Sequence, residues 1–210
     1  MTAPDDWALR TEQLVLDQAL KLAPTRGWGR ATVLAAGKAA GLSAADCDLL
    51  LPNGPRDLAA LLSRRHDAAA LAALPDPAGL KIRERIRTAV VARLDAAQAD
   101  REAVRRWAGF LALPTNMPLA LRLLWESADA LWRWAGDTAT DENHYSKRAI
   151  LSGILIQVTA LDLELGRVEA LAALDARIQN VMDFEKWKVG FKPSDLAKDL
   201  AGALAKVRFG

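Results

Sequence analysis

The chain has 210 residues, 51% of them hydrophobic, so it is long enough to bury a sizeable core in one domain or in two packed helical subdomains. Its 28 basic and 26 acidic side chains leave a formal charge of only +2, which excludes a global field that draws the protein to nucleic acid or to an anionic membrane. A single cysteine excludes an internal disulfide and a multi-cysteine zinc site, and is typical of a reducing compartment. The first residues carry acid before any base, so we expect neither a secretory signal nor a transit peptide.

Apolar residues recur every three or four positions along almost the whole chain, which predicts an all-α protein. The first helix is predicted to end near Pro24, and a second, short helix to span about 32–40. Gly41 suits a left-handed helix end, and Ser43 with Asp46 is typical of a capping box that starts a third helix. The first third of the chain is therefore predicted to be a helix followed by a helix-turn-helix-like unit.

The span Ala31 to Leu51 resembles the N-terminal DNA-binding unit of the TetR repressor family. In that fold the helix after Ser43 enters the major groove, where affinity depends on basic and hydrogen-bonding side chains. Here the helix carries Asp46 and Asp48, and no Lys or Arg lies between Lys38 and Arg56. Because carboxylates repel a polyanion, we expect the fold to be retained without nucleic-acid binding. A ligand-responsive transcription repressor is the alternative.

The chain breaks at the proline pair of 52–55, and a fourth helix follows. The prolines of the 75–77 linker mark the predicted boundary between a helix-turn-helix-like subdomain, 1–74, and a larger lipid-binding helical domain, 78–192. Residues 193–210 form a third predicted unit, a C-terminal amphipathic helix. Apolar stripes predict the inward faces of the later helices. They contain Ile82, Ile86, Val90 and Leu94; then Leu121, Leu124, Trp125, Ala128 and Trp132; then Ile150, Ile154, Val158, Leu161 and Leu165.

Two tryptophans in the second of these stripes, Trp125 and Trp132, lie seven residues apart and so share a helix face. A wall of indole and aliphatic side chains suits a long apolar ligand, although ordinary core packing has the same pattern. The predicted ligand is an isoprenoid or phospholipid, and no other cofactor is expected. The predicted lipid-binding side chains are Leu121, Leu124, Trp125, Trp132, Ile154 and Val158.

The sets of catalytic and metal-ligating residues are incomplete. A di-iron helical bundle needs two Glu-x-x-His pairs and two further Glu. The chain has only two histidines, and the residues three positions before His66 and His144 are Ser63 and Asp141. Cys47 lies among acidic residues, which disfavour a thiolate. We therefore predict no catalytic residue, no metal site and no enzyme activity, with a metal-dependent hydroxylase as a further alternative.

The segment WRWAGDTATDENHYSKRAIL, with LALPTNMP before it and the TetR-like start, resembles the ubiquinone-biosynthesis accessory family that acts as the ninth coenzyme-Q factor. The resemblance implies a homodimer of TetR-like fold without catalytic activity. It also implies that the protein binds a quinone precursor and presents it to a di-iron demethoxyubiquinone hydroxylase.

The same resemblance assigns the hydroxylase-binding surface to the DENHYSKR segment. The residues that inherit this role are Asp141, Asn143, His144, Tyr145 and Arg148. Mitochondrial members of the family carry Trp where this chain has His144. A large anchoring side chain is thus replaced by a smaller ring.

The C-terminal segment from Pro193 has an apolar stripe with charged residues elsewhere, which is typical of a helix in a membrane interface and equally of a helix packed on its own domain. The family resemblance favours reversible membrane contact. The predicted membrane-contacting residues are Leu196, Leu200, Leu204 and Val207. We therefore expect a cytoplasmic protein associated peripherally with the inner membrane.

Overall fold

The computed structural model describes residues 4–138 and 142–190, with side chains for 7–138 and 144–181. These ranges hold nine α-helices and no strand, so the predicted all-α fold is confirmed. The helices are α1 (Pro4–Arg26), α2 (Arg30–Ala39), α3 (Ala44–Leu50), α4 (Pro55–Ala73), α5 (Ile82–Ala96), α6 (Arg101–Leu111), α7 (Met117–Trp134), α8 (Glu142–Glu164) and α9 (Arg167–Gly190). Short 3₁₀ turns, Gln98–Asp100 and Pro114–Asn116, precede α6 and α7.

The turn between α2 and α3 forms as its cap residues predict. Gly41 has a φ of +86°, a conformation that favours glycine. The Ser43 hydroxyl accepts a hydrogen bond from the Asp46 N–H at 3.1 Å, and the Asp46 carboxylate accepts one from the Ser43 N–H at 3.2 Å. The two helices cross closely, since a Cβ on Gly37 would lie 2.7 Å from Cys47 Sγ. Glycine at position 37 is therefore what lets α3 pack on α2.

Two hydrophobic cores organise the bundle. The first contains residues of α1, α2, α3 and α4. It extends to Ala103 and Leu111 of α6 and to Ala120 and Leu123 of α7. The second joins α5, the later part of α7, α8 and α9, with Val158 and other fully buried aliphatic side chains at its centre. Because α7 contributes to both cores, it fixes the second core relative to the helix-turn-helix-like unit.

A buried polar network supplements this packing where α4 meets α5 and α7. Asp67 of α4 accepts a hydrogen bond from Arg93 Nε of α5 at 2.5 Å and from the Ser127 hydroxyl of α7 at 2.8 Å. The neighbouring His66 places its Nε2 3.2 Å from the Asp100 carboxylate. Three helices and the turn before α6 are therefore connected through side chains that are largely removed from water.

The structure confirms that Ile86, Val90 and Leu94 of α5 and Ile154 and Val158 of α8 face inward, but it shifts the buried face of α7 by about one helical position. Four stripe members, Ile82, Leu121, Ile150 and Leu165, are exposed. The buried face of α7 consists of Ala120, Leu123, Ser127, Ala128 and Leu131, and that of α8 includes Leu151, Ile154, Leu155 and Val158. Each helical residue advances about 100° around the axis, so a shift of one position turns a face away from its neighbour. Leucine and alanine occupy several sides of these helices, and periodicity alone therefore left the face ambiguous.

Candidate functional site

Three aromatic rings gather where α7 runs beside the start of α8. The Trp125 ring lies 6.0 Å from the Tyr145 ring and 6.3 Å from the His144 ring, and the latter two are 5.2 Å apart. Tyr145, the only tyrosine of the chain, is 64% exposed. We call Trp125, His144 and Tyr145 the aromatic surface. Exposed aromatic side chains that are held by their neighbours are typical anchors of protein interfaces.

The end of α7 sets the position of this surface. Gly136 has a φ of +86°, and its N–H donates to the Arg133 carbonyl while the Asp137 N–H donates to the Trp132 carbonyl, both at 3.0 Å. This pair of bonds is the glycine-dependent Schellman helix end. Arg85 of α5 adds a 2.7 Å hydrogen bond to the carbonyl of Ala135. The chain therefore stops sharply after α7.

Contacts along α7 fix the direction and register of α8. The Trp132 indole N–H donates to the Lys147 carbonyl at 3.0 Å, and the Ser152 hydroxyl donates to the Leu124 carbonyl at 3.3 Å. Leu124, the earlier residue of α7, thus meets Ser152, the later residue of α8. The two helices are therefore antiparallel. The Trp125 ring reaches the His144 and Tyr145 rings across this helix pair.

A buried ion cluster lies beside the aromatic surface, and we define it as Asp129, Asp137 and Arg148. Arg148 Nε lies 2.6 Å from Asp129, and its Nη1 lies 2.9 Å from Asp137. Burial favours neutral Asp137, but hydrogen bonds from Lys147 and Arg148 outweigh it and hold the pKa of Asp137 below its ordinary value. Burial opposes the charge on Arg148 as well, yet its bonds to Asp129 and Asp137 raise the pKa of Arg148. Asp137 and Arg148 are therefore charged at neutral pH.

The predicted partner-binding residues differ in their exposure to solvent. Tyr145 is exposed and His144 is half-buried. Arg148 is corrected: its side chain is 2% exposed and is engaged by two carboxylates, so it lies beneath the surface and is not accessible to a partner. Asp141 and the Asn143 side chain lie outside the described residues.

The six predicted lipid-binding side chains occupy three different places. Ile154 and Val158 are buried inside the second core, and Leu124 and Trp132 are half-buried against it. Leu121 is 57% exposed. Trp125 belongs to the aromatic surface. The prediction that Leu121 and Trp125 share an inward face with the others is therefore wrong, because α7 turns its Leu123 and Leu131 side inward.

The structure has an open groove of about 570 Å³ elsewhere, between α1 and the start of α6. Its walls are mixed in charge, with Lys21, Arg65 and Arg101 facing Asp17 and Asp100. None of the six predicted lipid-binding residues lines it. Charged side chains stand beside Leu20, Pro24 and Ala103 in this groove, which therefore differs from the apolar enclosure expected for an isoprenoid tail.

The described residues contain no group of three or more His, Cys, Asp or Glu side chains placed to hold a metal ion. In the same part of the chain, no helix has the length and apolarity needed to cross a bilayer. Burial, followed by the charge of Asp48, raises the pKa of the Cys47 thiol. Cys47 is therefore a neutral core group rather than a thiolate.

The helix that corresponds to a DNA-reading helix has an unusual surface. Asp48 of α3 pairs with Arg30 of α2 at 2.9 Å, so a basic side chain of this unit is already neutralised. Leu49, the next residue, is 82% exposed. An acidic and apolar face does not complement a phosphate backbone.

Sequence reasoning did not predict that Asp129 and Asp137 pair with Arg148, and it assigned Trp125 to the lipid-binding side chains rather than to the aromatic surface. Asp137 carries a local signal, since it directly follows the glycine that ends α7. Asp129 carries none, because its pairing with Arg148 depends on how α7 and α8 are aligned.

The order of the helices and their packing define a TetR-like helical protein. A solved structure described as a tetR-family transcription regulator from Shewanella sp. PV-4 matches with a TM-score of 0.52 and 15% identity, over 81% of this chain and 97% of that one. At that identity the likeness shows the fold alone.

The aromatic surface and the ion cluster lie within residues 117–185, which match the COQ9 family model. This relationship is more specific than the shared fold. The ubiquinone biosynthesis protein COQ9-B, mitochondrial, of Xenopus laevis is 30% identical over 68% of this chain and 52% of its own length. The mitochondrial COQ9 protein of Rattus norvegicus is 28% identical over 80% and 58%, and that of Bos taurus is 30% identical over 67% and 46%. The chain thus spans about half the length of these curated relatives. Residues 117–185 therefore match the COQ9 family, and the resemblance predicted from the sequence is confirmed.

Proposed function

We propose that this protein is a non-catalytic accessory factor of ubiquinone biosynthesis, which binds an isoprenoid quinone precursor and presents it to a di-iron demethoxyubiquinone hydroxylase. The observation that carries the proposal is the aromatic surface, in which the exposed Tyr145 ring lies beside the half-buried Trp125 and His144 rings within the COQ9-family segment. A tyrosine that packs on a neighbouring indole loses little further freedom when a partner covers it. Tyr145 is therefore the proposed anchor of the hydroxylase complex.

Replacing Tyr145 with alanine is expected to weaken hydroxylase binding at least tenfold while the melting temperature stays within a few degrees of the unchanged protein. Its side chain is mostly exposed, so its loss removes interface area without opening a core cavity. Affinity can be measured by calorimetry with the purified hydroxylase. The matched control is Leu49→Ala, which removes a still more exposed side chain from α3. Unfolding of the Tyr145→Ala protein, or unchanged affinity, would contradict this role.

The ligand site is proposed between α7 and α8, next to the aromatic surface. Ile154 and Val158 fill that region, so a prenyl tail enters only if the two helices separate. The half-buried side chains of Leu124 and Trp132 lie at the edge of the same core and give the tail an apolar path. Exposed Leu121 extends this apolar path along α7.

Native mass spectrometry of the purified protein is expected to show a bound isoprenoid or phospholipid at a stoichiometry of about one per chain. Replacing Val158 with phenylalanine should reduce the bound fraction, because the added ring occupies space that a tail would need between the helices. A Val33→Phe protein, altered in the first core, is the control for general overpacking. Protein that is empty in every preparation would argue against lipid carriage.

We further propose a homodimer and a peripheral membrane contact at the inner membrane. Exposed residues of α8, α9 and the turn between them are apolar or small and suit contact with a second copy: Gly153, Ile156, Ala160, Leu165 and Val168. The predicted membrane-contacting residues Leu196, Leu200, Leu204 and Val207 lie outside the described residues, and their role rests on the family resemblance. Together these features support delivery of a membrane-derived substrate by a dimer.

Repressor function is the rival hypothesis, and the Arg30–Asp48 pair on the helix-turn-helix-like unit argues against it. A repressor binds duplex DNA most strongly at low salt. Absence of a mobility shift with duplex DNA at low ionic strength would remove that rival. A salt-sensitive shift would favour it over the accessory role.

A further inference from the structure

The first turn of α8 carries two of the three rings of the aromatic surface, at a place where helices ordinarily fray. Terminal turns open easily because few backbone bonds hold them. Here Arg148 Nη1 donates to the carbonyl of His144 at 3.1 Å. The side chain that joins Asp129 and Asp137 therefore also holds the backbone of this turn.

Lys147, the residue before Arg148, makes a second set of contacts with the end of α7. Lys147 Nζ lies 2.5 Å from Asp137 and 5.4 Å from the centre of the Trp132 ring. The Trp132 indole in turn donates to the Lys147 carbonyl. Consecutive residues of α8 are thus anchored to the end of α7 by charge, by ring contact and through the backbone.

Removing these charged groups from water costs free energy. Well-packed apolar residues commonly stabilise a core as well as buried ion pairs do. What buried ions supply in addition is directional geometry, because a guanidinium fits only a limited set of orientations between two carboxylates. The direction imposed here is that of the turn carrying His144 and Tyr145. Fixing it before association lowers the entropy lost when a partner binds.

We propose that Arg148, Asp129 and Asp137 are positioning residues that pre-order the aromatic surface for its partner, without touching the partner themselves. This inference rests on the proposed docking function. Its first consequence, the order of Tyr145, can nevertheless be measured on the protein alone.

The test uses the fact that Tyr145 is the only tyrosine, so that protein labelled with 3-fluorotyrosine gives a ¹⁹F NMR signal from one site. The first variant is Arg148→Lys, which keeps the charge but cannot bridge two carboxylates and a carbonyl in the same geometry. The second is Arg148→Met combined with Asp129→Asn, which removes one charge of each sign and leaves Asp137 paired with Lys147. The control is Arg87→Met, which breaks an exposed Arg–Asp pair between α5 and α9.

In both Arg148 variants the ¹⁹F signal is expected to move toward that of free fluorotyrosine, and hydroxylase affinity to fall about tenfold, while Arg87→Met changes neither. An unchanged ¹⁹F signal in a folded Arg148 variant would overturn the inference, whether or not affinity falls, because Arg148 then does not order Tyr145. Failure of the docking proposal itself is recognised separately, by unchanged binding of the Tyr145→Ala protein.

Discussion

Replacing Asp67 with alanine is expected to lower the free energy of unfolding by about 3–5 kcal/mol, as measured by urea denaturation. The Asp67 and Arg93 side chains are only 10% and 12% exposed and lie 2.5 Å apart. Removing the carboxylate leaves the Arg93 charge in a poorly hydrated place and takes the acceptor away from the Ser127 hydroxyl. The expected loss of stability is large because Arg93 and Ser127 lose their partner in a poorly hydrated place. It does not require the ion pair itself to be strongly stabilising.

Two controls separate this effect from the general loss of a charge. Asp17→Ala removes an exposed carboxylate that also pairs with an arginine, Arg65, and should cost about 1 kcal/mol or less. The double variant Asp67→Leu with Arg93→Met removes both charges and should recover most of the lost stability. A cost for Asp67→Ala no larger than that of Asp17→Ala would show that Arg93 finds water or another partner.

Acidification is expected to destabilise the protein between pH 6.5 and about 4, with His66 responsible for roughly 3 kcal/mol of the loss. Burial, assisted by the positive charge of Arg93, lowers the pKa of His66 from 6.5 to about 4, although the Asp100 carboxylate opposes this. In that window the unfolded chain binds a proton that the folded chain does not. The stability contributed by neutral His66 is therefore complete above pH 6.5 and is lost as the pH falls toward 4.

The measurement is a series of urea midpoints against pH for the unchanged protein and for His66→Gln. Glutamine keeps a polar group near Asp100 but does not titrate, so the difference between the two curves isolates the histidine from the carboxylates that titrate in the same range. The two curves should approach each other as the pH falls. Parallel curves from pH 7 to pH 4 would mean that His66 takes up its proton equally well in the folded protein.

In the candidate site, a local sequence motif identified the segment but did not predict which of its side chains are exposed. The DENHYSKR segment was singled out by its resemblance to the COQ9 family, and the structure places Tyr145 of that segment on the surface. Arg148 comes from the same short motif, yet it is buried against two carboxylates whose pairing with it was not predicted. A motif identifies a segment, whereas the direction of each side chain depends on which neighbour the helix packs against.

What the sequence by itself determined are the features that depend on residues close together in the chain: the all-helical fold, the left-handed end at Gly41, the capping box of Ser43 and Asp46, and the family segment at 117–185. Only the tertiary structure decided that α7 turns Leu121 outward and that Asp129 meets Arg148 across nineteen positions of sequence. The physical reason is the separation in sequence between the residues that interact. Caps and turns are satisfied within one helical turn, while the inward face of an alanine- and leucine-rich helix, and the partner of a buried charge, are set by the crossing of helices that the sequence does not encode locally.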